Sequence, residues 1–131
     1  MVEKYLIDTN ALIDYLAGAM PIEGLDLMDR IFDSGDIILS VITHIEVLAF
    51  QAPIDYLERV QKLINLSNVI PLADATLIRQ AILVRRETKI KLPDAVIAAT
   101  ALAFNLTVVS RNERDFSRVT DLKFVNPHKL N

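Results

Sequence analysis

The sequence contains no cysteine and very little glycine. The absence of cysteine excludes disulfide bonds, cysteine-bound zinc, iron–sulfur clusters and thiol catalysis. Only three glycines and five prolines occur among 131 residues, whereas 52% of the residues are hydrophobic. This is the composition of a well-packed domain, not of a disordered or repetitive chain. The length fits one domain, so we expect residues 1–131 to form a single folded unit.

The chain also lacks an excess of positive charge and a long hydrophobic run. Fourteen Lys and Arg residues stand against 17 Asp and Glu, a formal net charge of −3. This balance argues against a general affinity for nucleic acid, because few counterions would be released on binding. The apolar stretch near residues 95–104 is shorter than the ~20 residues that span a bilayer, so it predicts a buried helix. The first residues reach charge too soon for a signal peptide. We therefore expect a cytoplasmic protein without a membrane segment.

Short runs rich in Val, Ile and Leu alternate with helical patterns. This alternation predicts an α/β fold with a short, mainly parallel central sheet. Strands are predicted near residues 4–7, 36–40, 107–110 and 123–125. A further strand near 68–72 is restricted to an edge or an end by Pro71. Helices are predicted over residues 9–17, 25–34, 43–50, 53–65, 74–89 and 93–105, with a loop over 18–24.

Four acidic residues are distinguished by their positions relative to these elements. Asp8 directly follows the first strand, and Glu46 is predicted in the first turn of the helix after the second strand. Asp115 comes five residues after Ser110, where another strand ends, and Asp94 lies in the first turn of the late helix. Active sites in open parallel sheets form beyond the carboxyl ends of the strands. Convergence of the four carboxylates at that edge is therefore predicted.

Each carboxylate taken alone also has a structural explanation. An acidic residue in a first helical turn satisfies free N–H groups and the helix dipole. The segment Thr43–Glu46 has the pattern of a capping box, and Asn112–Asp115 has a looser version of it. Asp74 begins a helix in the same way, and nothing else implicates it, so we predict that it is only a cap. Residue by residue, the structural and the functional interpretation both remain open.

The joint pattern favours a metal site. Asp8 and Asp94 stand in apolar surroundings, where carboxylates are costly unless they are paired or bound to metal. Two carboxylates ~5 Å apart repel by roughly 3 kcal/mol at an effective dielectric of 20. A cluster of four must therefore take up protons or cations. Oxygen ligands alone select hard cations such as Mg²⁺ or Mn²⁺.

Metal held by acids commonly acts on phosphates, because it activates a bound water and stabilises the leaving oxygen. No histidine is then required as a general base. His44 is predicted on a different helix face from Glu46, and His128 is predicted to be solvated in the tail.

At these residues the sequence resembles the PIN-domain family, and especially its VapC-like ribonuclease toxins. The resemblance rests on four segments in order, namely Leu6–Asn10, Ile42–Glu46, Leu92–Ala101 and Val109–Phe116. It implies a three-layer α/β/α PIN-like fold. It further implies a Mg²⁺- or Mn²⁺-dependent endoribonuclease that acts on RNA, is often a homodimer, and is silenced by a cognate antitoxin.

The resemblance also implies roles for individual positions. Asp8, Asp94 and Asp115 would coordinate the metal directly or through water, and Glu46 would complete the set. Asn112 stands where relatives can have an acid, which leaves the number of metal ions open. The positions expected to support the acids or line the pocket are Thr9, Asn10, Thr43, Ser110 and Asn112. Two cations that bracket Asn112, Arg111 and Arg114, are expected to guide the RNA backbone.

Two other classes of protein fit parts of the pattern. A Mg²⁺-dependent phosphohydrolase also has an aspartate after its first strand, but it requires a second one at the position of Asn10. A catalytically silent binding module would keep the fold and use the acids only to hold a basic peptide. Apolar residues over 18–28 could either form a partner groove or belong to the core.

Overall fold

The structure is a computed structural model that describes residues 2–130. Five strands and seven helices alternate along this part of the chain. In order they are β1 Tyr5–Ile7, α1 Thr9–Leu16, α2 Ile22–Asp33, β2 Ile38–Ser40, α3 Val41–Leu48, α4 Ile54–Asn65, β3 Asn68–Ile70, α5 Ala75–Thr88, α6 Leu92–Phe104, β4 Thr107–Val109, α7 Glu113–Phe116 and β5 Phe124–Val125. All five predicted strands are present, and the predicted α/β class is confirmed.

The five strands form one sheet in the order β3-β2-β1-β4-β5, and every neighbouring pair is parallel. The strand that Pro71 was expected to confine to an edge, β3, is an edge strand. The chain runs from β1 outward to β2 and β3, and then returns to place β4 on the other side of β1. Successive strands are therefore added on one side of β1 up to β3 and on the other side from β4 onward. The order of addition reverses between β1 and β4. In sheets of this kind, ligands bind in the crevice at that reversal.

Helices cover both faces of the sheet, and alternate strand residues show this directly. Ile7, Leu39 and Val109 pack in a core cluster that includes residues of α1, α2, α3 and α4. Their strand neighbours Leu6, Ile38 and Val108 pack in a second cluster with α5, α6 and α7. Successive side chains on a strand point to opposite faces. The molecule thus has the expected three-layer α/β/α arrangement.

Helix α2 begins earlier than predicted, so the loop expected over residues 18–24 is partly wrong. The glycine and proline content indicated a loop, but Pro21 precedes a helix that starts at Ile22. Gly24 is buried in the first turn, where a Cβ would lie 2.1 Å from the carbonyl oxygen of Pro127. Glycine is required there for close packing, not for chain reversal. Met20, Leu27 and Met28 are buried in the core, whereas Ile22 is 66% exposed.

Helix α3 also begins earlier than predicted, because Ser40 and not Thr43 caps it. The Ser40 hydroxyl accepts from the backbone N–H of Ile42 (3.1 Å). The capping box expected over Thr43–Glu46 is therefore wrong. Glu46 lies in the second turn of α3 rather than the first, and the Thr43 side chain is free to serve another contact.

Helix α6 has the character predicted for the late apolar stretch. Its 13 residues include seven consecutive buried ones, Ala95–Ala101. Within residues 2–130, no helix combines the length and the apolar character that crossing a membrane would require.

Candidate functional site

Asp8 lies between the carboxyl ends of β1 and β4, where the order of strand addition reverses. It is the N-cap of α1 and accepts from the backbone N–H of Thr9 through Oδ1 (2.8 Å). Its other oxygen accepts from the Ser110 hydroxyl (2.7 Å) and from the Asn10 amide (3.0 Å). Ser110 directly follows β4, so this hydrogen bond joins the ends of the two strands. Asn10 therefore lies beside Asp8 as expected, whereas Ser110, which was expected near Asp115, contacts Asp8 instead.

Burial is the largest influence on the pKa of the Asp8 carboxyl. Only 3% of the residue is exposed, and this desolvation raises the pKa of its carboxyl to about 6. The hydrogen bonds from Ser110 and Thr9 act in the opposite direction, whereas the charges of Asp94 and Glu46 raise it further. A buried carboxylate with other acids nearby is stabilised by a cation. A cation bound beside Asp8 would offset the cost of keeping its buried carboxyl ionised.

Glu46 is tied to the Asp8 segment through Thr9. The Thr9 hydroxyl donates to Glu46 Oε1 (2.7 Å) and is hydrogen-bonded to Thr43 Oγ1 (3.0 Å). Thr43 is fully buried, so its hydroxyl fixes the Thr9 side chain from inside. The predicted support by Thr9 therefore goes to Glu46, while the backbone of Thr9 serves Asp8.

Asn112 links the remaining two acids. Its amide donates to Asp115 Oδ2 (3.1 Å) and, over a longer distance, to Asp94 Oδ2 (3.5 Å). Its side-chain oxygen accepts from the backbone N–H of Asp115 (3.3 Å), so it also caps α7 as the sequence indicated. Partial burial, and then the charges of Asp115 and Glu46, raise the pKa of Asp94, against which Lys91 acts.

The predicted positions thus come together in one cleft, with one exception. Asp8, Thr9, Asn10, Glu46, Asp94 and Arg111 line it directly. Thr43, Ser110, Asn112 and Asp115 join the same hydrogen-bond network. Arg114 is exposed, and across residues 2–130 no hydrogen bond or ion pair connects its side chain to the acids.

The donor chemistry of the cleft suits a hard divalent cation, but the acids are spread around it. Among the described residues, no three acidic or histidine side chains stand close enough together to coordinate one ion. Mg²⁺ in proteins usually keeps several waters and takes only one or two carboxylates, with substrate phosphate completing its shell. A spread set of carboxylates is compatible with that kind of coordination.

Two further side chains belong to this region and were missed. Asp14 lines the cleft and is 8% exposed. Its Oδ2 lies 3.0 Å from His128 Nε2 and 3.2 Å from Arg111 Nη1. The prediction that His128 is solvated is therefore wrong. A signal for Asp14 was present, since it follows Asn10 by four residues and shares its helix face. His128 had none, because its partner lies far away in the sequence.

Comparison with known proteins agrees with this architecture. The sequence model of the PIN domain family matches residues 5–122 of the chain. The protein belongs to the PIN domain family. No protein of curated function matches it significantly by sequence.

Solved structures with the same fold cover almost the whole chain. A toxin–antitoxin complex from Klebsiella pneumoniae is 26% identical, with a TM-score of 0.75 over 97% of this chain and 100% of that one. FitAcB from Neisseria gonorrhoeae is also 26% identical, with a TM-score of 0.73 over 96% and 99%. VapBC-1 from nontypeable Haemophilus influenzae is 23% identical, with a TM-score of 0.78 over 95% and 98%. The last of these shows the fold alone.

Proposed function

We propose that this chain is a metal-dependent endoribonuclease, a VapC-like toxin that cleaves RNA phosphodiesters. The observation that carries the proposal is the buried Asp8 with its pKa raised to about 6, held at the crevice of the sheet with other acids around it. An ordinary helix cap has no need of such a costly position. Membership in the PIN domain family and likeness to a toxin–antitoxin complex support the same conclusion.

Mg²⁺ or Mn²⁺ would be held by Asp8, Glu46, Asp94 and Asp115, directly or through water. When bound, the metal would neutralise the phosphodiester and supply an activated water. The protein's own contribution is to fix the oxygen ligands. Ser110 and Asn10 orient Asp8, the Thr9 hydroxyl orients Glu46, and the Asn112 amide holds Asp115 and Asp94. Hydrogen bonds of this kind set ligand direction, and their loss typically weakens metal binding or activity about 10–100-fold.

The substrate backbone would approach through the open side of the cleft. The four carboxylates repel a polyanion, so a cation at the cleft and the metal itself must offset this repulsion. Arg111 lines the cleft and is well placed to contact a phosphate. Arg114 would act only further along the RNA, since it is exposed and no contact draws it toward the acids.

A protein partner is part of the proposal. One of the solved structures that are 26% identical to this chain is a toxin–antitoxin complex. We infer that a cognate antitoxin silences this chain too, and that a basic side chain of that partner would be attracted by the acidic cleft. We also propose that the active form is a cytoplasmic homodimer, as is typical of VapC-like toxins.

The proposal is tested by incubating a labelled total RNA pool with the pure protein in Mg²⁺, Mn²⁺ or EDTA, beside Asp8→Asn. We expect discrete fragments that require metal and disappear in the variant. If folded wild-type protein leaves all RNA intact with either metal, the nuclease assignment is wrong. A catalytically silent binding module would then be the better account, and it would bind a basic peptide without cleavage.

A further inference from the structure

The C-terminal segment 126–130 folds back onto the wall of the cleft. Its His128 Nε2 lies 3.0 Å from Asp14 Oδ2, across 114 positions of sequence. The same carboxylate pairs with Arg111 Nη1 at 3.2 Å. Asp14 is nearly buried, whereas the Arg111 side chain is 56% exposed. One buried carboxylate thus joins the tail of the chain to Arg111, the single arginine within residues 2–130 that lines the acidic cleft.

Other contacts hold the tail itself in place. The backbone N–H of His128 donates to Asn126 Oδ1 (2.9 Å), and Asn126 is buried. Lys129 pairs with Glu113 of α7 at 3.3 Å. The carbonyl oxygen of Pro127 packs against Gly24 of α2 so closely that no Cβ fits between them. His128 is therefore presented to Asp14 by a segment that contacts α2 through Pro127 and α7 through Lys129.

The contact with Asp14 keeps Arg111 away from the four acids of the cleft. A free guanidinium beside four carboxylates would be drawn among them and would compete with the metal. Asp14 lies outside that set and offers Arg111 another anion. The backbone N–H of Arg111 also donates to Asn10 Oδ1 (3.2 Å), which fixes the start of the side chain. Arg111 is thereby kept on the wall, with much of its guanidinium exposed.

We propose that His128 and Asp14 are positioning residues that hold Arg111 where it contacts a phosphate of the bound RNA. This inference rests on the proposed function. Arginine suits the role because its planar group binds phosphate in a defined direction. The C-terminal segment is then part of the RNA-binding site, although it touches no acid of the proposed metal site.

The test measures RNA binding rather than cleavage. All proteins carry Asp8→Asn, so that a labelled RNA already shown to be a substrate stays intact in Mg²⁺, and the dissociation constant is measured from low to high salt. Arg111→Gln should weaken binding about tenfold at low salt and lower the salt slope by about one, as for a lost phosphate contact. The control is Lys62→Gln, which removes the same charge from the last turn of α4. That helix precedes the edge strand β3, two strands away from β1. Lys62→Gln should leave the slope nearly unchanged.

The role of His128 is tested through its coupling to Arg111. His128→Leu should weaken binding about threefold, and it should add nothing once Arg111 is glutamine, because the two act through one contact. His128→Gln, whose amide can still donate to Asp14, should restore binding. Gly24→Ala, which displaces Pro127 without altering the Asp14 contacts chemically, should reproduce the His128→Leu effect.

The outcomes separate this inference from the proposed function. If wild-type protein cleaves RNA with metal but the His128→Leu and Arg111→Gln effects simply add, or if folded His128→Leu and Gly24→Ala bind like their parent, the positioning role is overturned alone. If wild-type protein cleaves no RNA, both the function and this inference fail.

Discussion

Two aspartates begin helices in the part of the chain that the structure describes, and their surroundings differ sharply. Asp74 caps α5, and its Oδ1 accepts from the backbone N–H groups of Thr76 and Leu77. Asp8 caps α1 through one oxygen in a similar way. Asp74 is exposed, whereas Asp8 is 3% exposed and its second oxygen is held by Ser110 and Asn10.

The difference comes from the strand that precedes each helix. Asp8 directly follows the central strand β1, where the order of strand addition reverses. Helices and loops therefore surround it. Asp74 follows the edge strand β3 after a short turn and faces solvent. Capping alone satisfies a helix end in either place. A carboxylate that is also desolvated and close to other acids has a further role, which we assign to metal binding.

The largest expected effect is on cleavage when each aspartate is replaced. Asp8→Asn should lower the rate by about 1,000-fold or more, because a metal at a phosphate contributes several kcal/mol to the transition state. Asp74→Asn should change it less than about twofold, since asparagine caps as well as aspartate. Both rates are measured on the same RNA. Equal losses would mean that the two aspartates differ only in exposure.

The next effect is on the pH dependence of stability without metal. The folded-state pKa of Asp8 is about 6, above its usual 3.8, so folding favours the protonated form. Stability from this group is present below about pH 4 and is lost as the pH rises through 6, by about 3 kcal/mol in total. Denaturant unfolding in EDTA at several pH values should show this loss in wild type and not in Asp8→Asn. Parallel curves for the two proteins would contradict the buried, desolvated state of Asp8.

A smaller loss is expected when the support of Glu46 is removed. Thr9→Val deletes the hydroxyl that donates to Glu46 and leaves the buried Thr43 hydroxyl without this partner. Cleavage should fall about 10–100-fold, as is typical when a ligand's orienting bond is lost. Thr9→Ser keeps the hydroxyl and serves as the matched control. Wild-type cleavage by Thr9→Val would show that Glu46 needs no such support.

The smallest effect is on the stability of the Asp94 variant. Asp94→Asn relieves repulsion with Asp115 and Glu46 but loses a favourable charge at the start of α6. We expect the metal-free protein to be unchanged or more stable by about 1 kcal/mol or less, while cleavage is abolished. Thermal unfolding in EDTA measures this. A clear fall in melting temperature would identify Asp94 as a structural cap like Asp74.

Much of the fold was predictable because its signals are local. Apolar runs mark all five strands, and Asp74 and Gly18 mark the helix ends near them. The start of α2 could not be predicted in this way, because glycine and proline usually indicate a loop. Gly24 is needed instead for its contact with Pro127, which lies at the other end of the chain.

The site shows the same division between local and distant signals. The four acids could be picked out, since the sequence predicts each near the end of a strand or the start of a helix, although Glu46 lies in the second turn of α3. The local pattern misled at Thr43, because Ser40 offers an equally good cap three residues earlier. The contact of Asp14 with His128 could not be predicted, as it depends on how the tail packs across α1.

The central claim is that the acids around Asp8 form a divalent cation site and not a set of helix caps. It is tested most directly by titrating Mn²⁺ into metal-free protein by calorimetry, for wild type, Asp8→Asn and Asp74→Asn. We predict that wild type and Asp74→Asn bind Mn²⁺ with the same affinity and that Asp8→Asn binds at least about tenfold more weakly. Equal Mn²⁺ affinity of all three proteins, or no binding by folded wild type, would contradict the account.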